Sequence, residues 1–189
     1  GLIAVYFFIS FATVMITLYC PFLIEKKDWS TSLSGTVTSL YFLFIFIPGF
    51  GLTWIVKILK GSTFAWCALM MTLGLACFVF LHDQWSMCIG ASLAGLGYGI
   101  CQPLLYNKAS RAVVSDAKST LSLSFVLASN YLAIVCTPFI IDFFRGIFHV
   151  KPDGTFAFLL GFIGLVVYTV IAIWKRKSFA FSVTKDFYS

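Results

Sequence analysis

Five side chains near the start of the chain carry polar groups at helical spacing. Tyr6, Ser10, Thr13, Thr17 and Cys20 are separated by four, three, four and three residues. In a helix this spacing places them on one face. Hydroxyls both donate and accept hydrogen bonds, and a phenol adds a ring on which an apolar body can rest. Ser34, Thr38 and Tyr41 repeat the pattern in the next apolar stretch, and Ser122, Ser129, Asn130 and Thr137 fall in a later one. Gln102 sits just before Pro103. Asn130 makes the strongest demand, because an amide in an apolar surrounding needs a partner. For each single Ser or Thr the simpler alternative is a bond back to its own helix. Tyr6, Ser10, Thr13, Thr17, Thr38, Tyr41, Gln102, Ser129 and Asn130 are thus the candidates for a polar face that meets water, a polar solute or another helix.

The same inventory argues against catalysis. A serine protease working within the membrane needs a His at membrane depth, and both His82 and His149 lie between the apolar stretches. No HExxH occurs for a metalloprotease. The six cysteines, Cys20, Cys67, Cys77, Cys88, Cys101 and Cys136, lack CxxC spacing and read as small buried hydrophobes. The expectation is a protein that is not an enzyme and holds no metal or cofactor. Asn-Pro-Ala repeats and filter-like loops, which would point to a channel, are absent as well.

The elements that position these residues are unusually apolar. The chain is 60% hydrophobic and 11% charged, with a mean hydropathy of +0.98. Soluble domains carry about 25% charged residues. Six stretches are each long enough to cross a hydrocarbon core of about 30 Å: Leu2–Ile24, Leu33–Val56, Ser62–Leu81, Ser86–Tyr106, Ser119–Phe144 and Thr155–Trp174. No period-2 alternation supports a barrel. The fold class is therefore an all-α membrane protein, with residues 1–177 forming one six-helix bundle and 178–189 a cytoplasmic tail. Its nearest partners are membrane lipids.

Charge placement sets the orientation. With the N-terminus inside, Lys57, Lys60, Lys108, Arg111, Lys118, Lys175, Arg176, Lys177 and Lys185 lie on the inner side, and Lys26, Lys27, Arg145 and Lys151 on the outer. Nine basic residues against four puts both ends in the cytoplasm by the positive-inside rule. This distribution also accounts for the net charge of +6 without a nucleic-acid partner. The connections read as turns: Glu25–Ser32, His82–Trp85 and Arg145–Gly154 outside, Lys57–Gly61 and the longer Asn107–Lys118 inside. The chain begins at Gly1 without a leader, which favours a place in the C-terminal part of a longer polypeptide.

The stretches differ in polarity. The first, second and fifth each carry a polar face, whereas the third and sixth hold little beyond Thr72, Tyr168 and Thr169 and read as lipid-facing. The fourth is dense in small residues, with Gly95 and Gly99 spaced for close helix approach. Pro103 removes one backbone donor and permits a bend. Pro48-Gly49 stands near the inner end of the second stretch. These five residues read either as plain packing or as parts of a helix that moves.

Gly95-Leu96-Gly97-Tyr98-Gly99-Ile100-Cys101-Gln102-Pro103, then Asn107, a basic inner loop, a Ser-rich helix and Thr137-Pro138-Phe139 resemble the tenth and eleventh helices of major facilitator superfamily transporters. Pro48-Gly49-Phe50-Gly51, leading into Lys57 and Lys60, resembles the eighth helix and the loop after it. The family's Asp-Arg pair in that loop is missing between Gly51 and Lys60. The resemblance implies helices seven to twelve of a twelve-helix secondary transporter, with an N-terminal six-helix half upstream. It implies that the first and fourth helices line a central cavity, the second and fifth flank it, and the third and sixth pack outside. The expected function is transport of small organic solutes by alternating access, with proton-coupled efflux of amphiphilic compounds favoured by the aromatic content. Uptake of a metabolite or sugar is the alternative, as is a six-helix protein working as a homodimer.

Overall fold

The computed structural model describes residues 2–81, 83–112, 116–150 and 154–175. Among the described residues seven α-helices follow one another: α1 (Leu2–Lys26), α2 (Ser32–Phe46), α3 (Leu52–Leu59), α4 (Thr63–Phe80), α5 (Gln84–Arg111), α6 (Asp116–Phe148) and α7 (Thr155–Trp174). Among the described residues six segments are long and apolar enough to cross a membrane: α1, Ser32–Phe50, Leu52–Phe80, α5, Ser119–Phe148 and α7. No strand occurs among the described residues. An apolar environment offers no water to backbone groups, so each segment satisfies its own by helix formation.

The bundle is layered. α5 packs on α4, α2 and α6, while α1 packs on α6, α7, α2 and α5. α4 and α7 pack together at the back. Glycines set how closely α5 can be approached. A Cβ at Gly97 would lie 2.6 Å from the Cys67 carbonyl oxygen of α4, and one at Gly90 equally close to that of Gly74. On its other side Gly95 meets the Tyr41 carbonyl of α2, and Gly99 the Ile45 carbonyl. Two glycine stripes thus seat α5 between two neighbours at backbone contact.

Several boundaries differ from the sequence reading. The second stretch is not one helix over 33–56. It gives way to a 3₁₀ turn over Ile47–Phe50, and α3 starts afresh at Leu52. Pro48 lacks an N–H, and Gly49 and Gly51 are weak helix formers, so the ladder breaks there. The inner connection is shorter than Asn107–Lys118, because α5 runs to Arg111 and α6 begins at Asp116. Lys108 and Arg111 suit the last turn of a helix, where cations complement the macrodipole. Lys108 is in fact buried, its ammonium 4.9 Å from the Phe64 ring centroid of α4. α6 also extends past Phe144 to Phe148. It ends as α1 does, on a non-glycine residue in the left-handed region: His149 (φ 53°) and Asp28 (φ 52°). Behind each, an N–H reaches five residues back, from Val150 to Arg145 and from Trp29 to Ile24, at 3.2 Å in both cases.

The third and sixth stretches are not lipid-facing all round. α4 and α7 each bury one side, through Met71, Leu75 and Phe78 and through Phe158, Leu165 and Ala172. Their few hydroxyls meet: Thr72 Oγ1 and Thr169 Oγ1 are 2.8 Å apart, and Thr72 also donates to the Leu165 carbonyl at 3.2 Å. Their outer sides, with Leu73 and Ile163, are exposed. The tail expected at 178–189, His82 and residues 151–153 of the last connection lie outside the described residues.

Candidate functional site: a neutral cavity among four helices

Tyr6 of α1 is fully buried. Its hydroxyl lies 2.7 Å from that of Tyr106 and 3.2 Å from that of Tyr98, both on α5. The Tyr6 ring stacks beside Tyr98 and meets Tyr106 edge-on, with centroids 6.4 and 5.5 Å away. Tyr98 passes the chain of bonds onward. Its hydroxyl is 3.4 Å from Ser10 Oγ and donates at 3.4 Å to Asn130 Oδ1 of α6. At the other end Gln102 Nε2 donates to the Tyr106 hydroxyl at 2.8 Å. One string of phenols and amides therefore ties α1, α5 and α6 together.

Above this string lies a cavity of about 260 Å³. α1 contributes Ser10, Thr13, Val14 and Thr17; α2 contributes Tyr41, Phe42 and Ile45. Tyr98 and Gln102 come from α5, and Asn130 and Ile134 from α6. No Asp, Glu, Lys, Arg or His lines it. The wall is thus uncharged, with hydroxyls and amides set among aromatic and aliphatic surfaces. Such a site can hydrogen-bond a polar group and hold an apolar body against Tyr41, Phe42 and Tyr98.

Six of the nine residues picked from the sequence line this cavity: Ser10, Thr13, Thr17, Tyr41, Gln102 and Asn130. Tyr6 stands behind it, joined through Tyr98. Two are not brought to it. Thr38 is half-buried on α2 and does not line the space. Ser129 is buried and donates to the Val126 carbonyl at 2.6 Å. Thr13 and Thr17 line the cavity yet back-bond to Ile9 and Val14, at 2.9 and 2.8 Å. Their oxygens are left as acceptors.

Tyr98 and Tyr106 were missed as site residues. The signal was present, since Tyr98, Gln102 and Tyr106 are spaced by four on one face. The glycines on either side of Tyr98 carry the same stretch's packing signal. Among the residues picked for packing or motion, Gly95 and Gly99 touch the α2 backbone, and Pro48 is buried in the 3₁₀ turn. Pro103 sits within α5, which continues through it. A Cβ at Gly49 would meet nothing within 4 Å, so that glycine serves no close approach.

A larger groove of about 710 Å³ runs between α6 and α7, lined by Phe144, Phe148, Leu160 and similar residues. It is almost wholly apolar and offers only what lipid chains offer. The smaller cavity offers the hydrogen-bonding groups that this groove lacks. Among the described residues, no group of three His, Cys, Asp or Glu is placed to hold a metal.

No family model matches the chain, and no curated protein sequence matches it. Solved structures do. A crystal structure of a mutant peptide transporter POT in complex with alafosfalin superposes with a TM-score of 0.70 at 16% identity, over 96% of this chain and 40% of that one. A POT family transporter in complex with a thioalcohol-conjugated peptide gives 0.69 at 17% identity, over 96% and 39%. The chain spans about 40% of the length of the structures it matches. At these identities the likeness is one of fold: a six-helix half of a major facilitator type.

Proposed function

We propose that this chain is the C-terminal six-helix half of a secondary active transporter for small organic solutes. The observation that carries the reading is the neutral polar cavity. It is walled by α1, α2, α5 and α6, within a bundle that otherwise presents apolar surface. In such transporters the site lies near the bilayer midplane at the interface between repeats, and one repeat rocks against the other. Here an N-terminal six-helix half closes the open side of the cavity. Both ends of the chain, with the tail at 178–189, face the cytoplasm, in line with the basic residues on that side.

The uncharged wall fits neutral or amphiphilic solutes. The neighbouring structures hold a peptide conjugate and alafosfalin; for this chain the solute is a small molecule that Tyr98, Gln102 and Asn130 can bond. Efflux of amphiphilic compounds is the favoured direction, and uptake of a metabolite the alternative. A proton-coupled carrier needs a titratable group reached from both sides. Asp142 is held in an ion pair with Arg145, 2.8 Å away, at the end of α6. Any proton coupling is therefore assigned to the other half.

The test is reconstitution. Purified residues 1–189 alone in liposomes show no saturable uptake, while the protein with both halves does. Saturable uptake by monomeric residues 1–189 overturns the half-transporter reading. Uptake only by a cross-linkable pair of these chains would favour the homodimer.

A further inference from the structure

The hydrogen bonds around the cavity leave an unusual remainder. Asn130 uses its Oδ1 to accept from Tyr98, so its amide nitrogen keeps both donors. Gln102 uses its Nε2 to donate to Tyr106, so its Oε1 keeps its acceptor capacity. Both residues line the cavity. The other polar wall groups have spent their hydrogens: Thr13 and Thr17 donate to their own helix, Ser10 and Tyr98 bond each other, and Tyr41 pairs with Thr13, so their oxygens are left only as acceptors. What the wall presents to a solute is the Asn130 amide donor from α6 and, from α5, the Gln102 acceptor beside its second N–H, with no charge beside either.

We infer that the cavity recognises a neutral carboxamide, whose carbonyl accepts from Asn130 Nδ2 and whose N–H donates to Gln102 Oε1. This rests on reading the cavity as the solute site. A carboxylate brings acceptors only and would leave Gln102 Oε1 without a donor; it would also bury a charge without a counter-charge. An amidinium or ammonium brings donors only and leaves the Asn130 amide facing another donor. A group that both accepts and donates side by side fits both. The phenol rings and Phe42 accept the apolar part. Tyr98 and Tyr106 are the positioning residues, because their hydroxyls fix which way the two amides are turned.

Benzamide, benzoate and benzamidinium share one planar shape and differ only in charge and in hydrogen-bonding pattern, so they serve as probes. The readout is equilibrium binding to the full-length protein in detergent, which does not depend on transport. Benzamide binds about tenfold or more tighter than either ion, the difference expected from one lost hydrogen bond to a neutral site. Gln102→Glu reverses the order in favour of benzamidinium. Tyr106→Phe, which leaves Gln102 in place but removes the bond that orients it, narrows the gap between benzamide and the ions. Equal binding of all three, tighter binding of benzoate or benzamidinium to the unaltered protein, or no binding of benzamide overturns the inference. Benzamide preference in a protein that moves no solute would overturn the transport reading and leave this one standing.

Discussion

At the scale of residues, the account rests on hydroxyls that find one another. Tyr6 bonds two tyrosines at once, so Tyr6→Phe removes two bonds and leaves a crowded apolar contact in place. Bonds of this kind between membrane helices average about 0.6 kcal/mol. Tyr6→Phe and Tyr106→Phe combined in a double-mutant cycle should show coupling of about that size. Unfolding in mixed micelles measures it, and strict additivity would mean that the 2.7 Å contact contributes nothing. Asp83 offers a second check. Its carboxylate caps α5, accepting from the Ser86 hydroxyl at 2.7 Å and the Ser86 N–H at 3.0 Å. Those bonds hold its carboxyl below the usual carboxylate range. A depressed value means that the cap stabilises above the ordinary Asp range and is lost as pH falls through the lowered one. Asp83→Ala should lower the thermal midpoint at pH 7, and the gap to the unaltered protein should close in strong acid. A gap independent of pH would argue against the charged cap. What the sequence made legible here was residue type and face: six of the nine cavity picks share one space. Which hydroxyls were spent on their own helix, as in Ser129, was not legible, because back-bonding depends on rotamer rather than spacing.

At the scale of elements, α5 is the organising piece, and its glycines all meet a neighbouring helix, whereas Gly49 in the 3₁₀ turn does not. Gly97 and Gly99 touch the backbones of α4 and α2, so a methyl group has nowhere to go. Gly49 faces open space. Gly97→Ala and Gly99→Ala should each lower the thermal midpoint, whereas Gly49→Ala should leave it unchanged or raise it by the equivalent of about 0.4–1 kcal/mol. Equal effects at all three would show that packing against α5 is not what the glycines provide. Gly99→Leu in the full-length protein should reduce transport more than expression if α5 moves against α2 during the cycle. Asp28 makes the reverse case. It stands at φ 52° at the end of α1, a conformation that suits glycine. Asp28→Gly should stabilise by roughly 0.5–1 kcal/mol. Hydropathy located these helices because length and apolarity set them. It did not locate the break at Ile47–Phe50, where an apolar run holds Pro48 and Gly49 and is followed by Gly51. Nor did it extend α5 to Arg111, since a polar last turn reads as loop until its burial against α4 is known.

At the scale of the whole molecule, the layering of α5 and α1 inside, α2 and α6 beside them, and α4 and α7 behind follows from which faces are small, polar or apolar. The apolar class and the half-major-facilitator fold were legible in the chain, and the structural neighbours carry the same arrangement. Where the two polar faces met was not, because it depends on rotations about each helix axis that hydropathy does not encode. Orientation is tested by single cysteines: a reagent applied from outside should label position 28 and miss position 111, and the opposite pattern would invert the topology. The central claim is that the cavity is one wall of a path open to each side in turn. In a full-length protein whose native cysteines have been replaced, Thr17→Cys lies on the cavity wall and Phe139→Cys on the exposed apolar face of α6. A membrane-impermeant thiol reagent should modify position 17 when added from either side, and position 139 from neither. Modification of position 17 from one side only, or from neither, would contradict alternating access through this cavity.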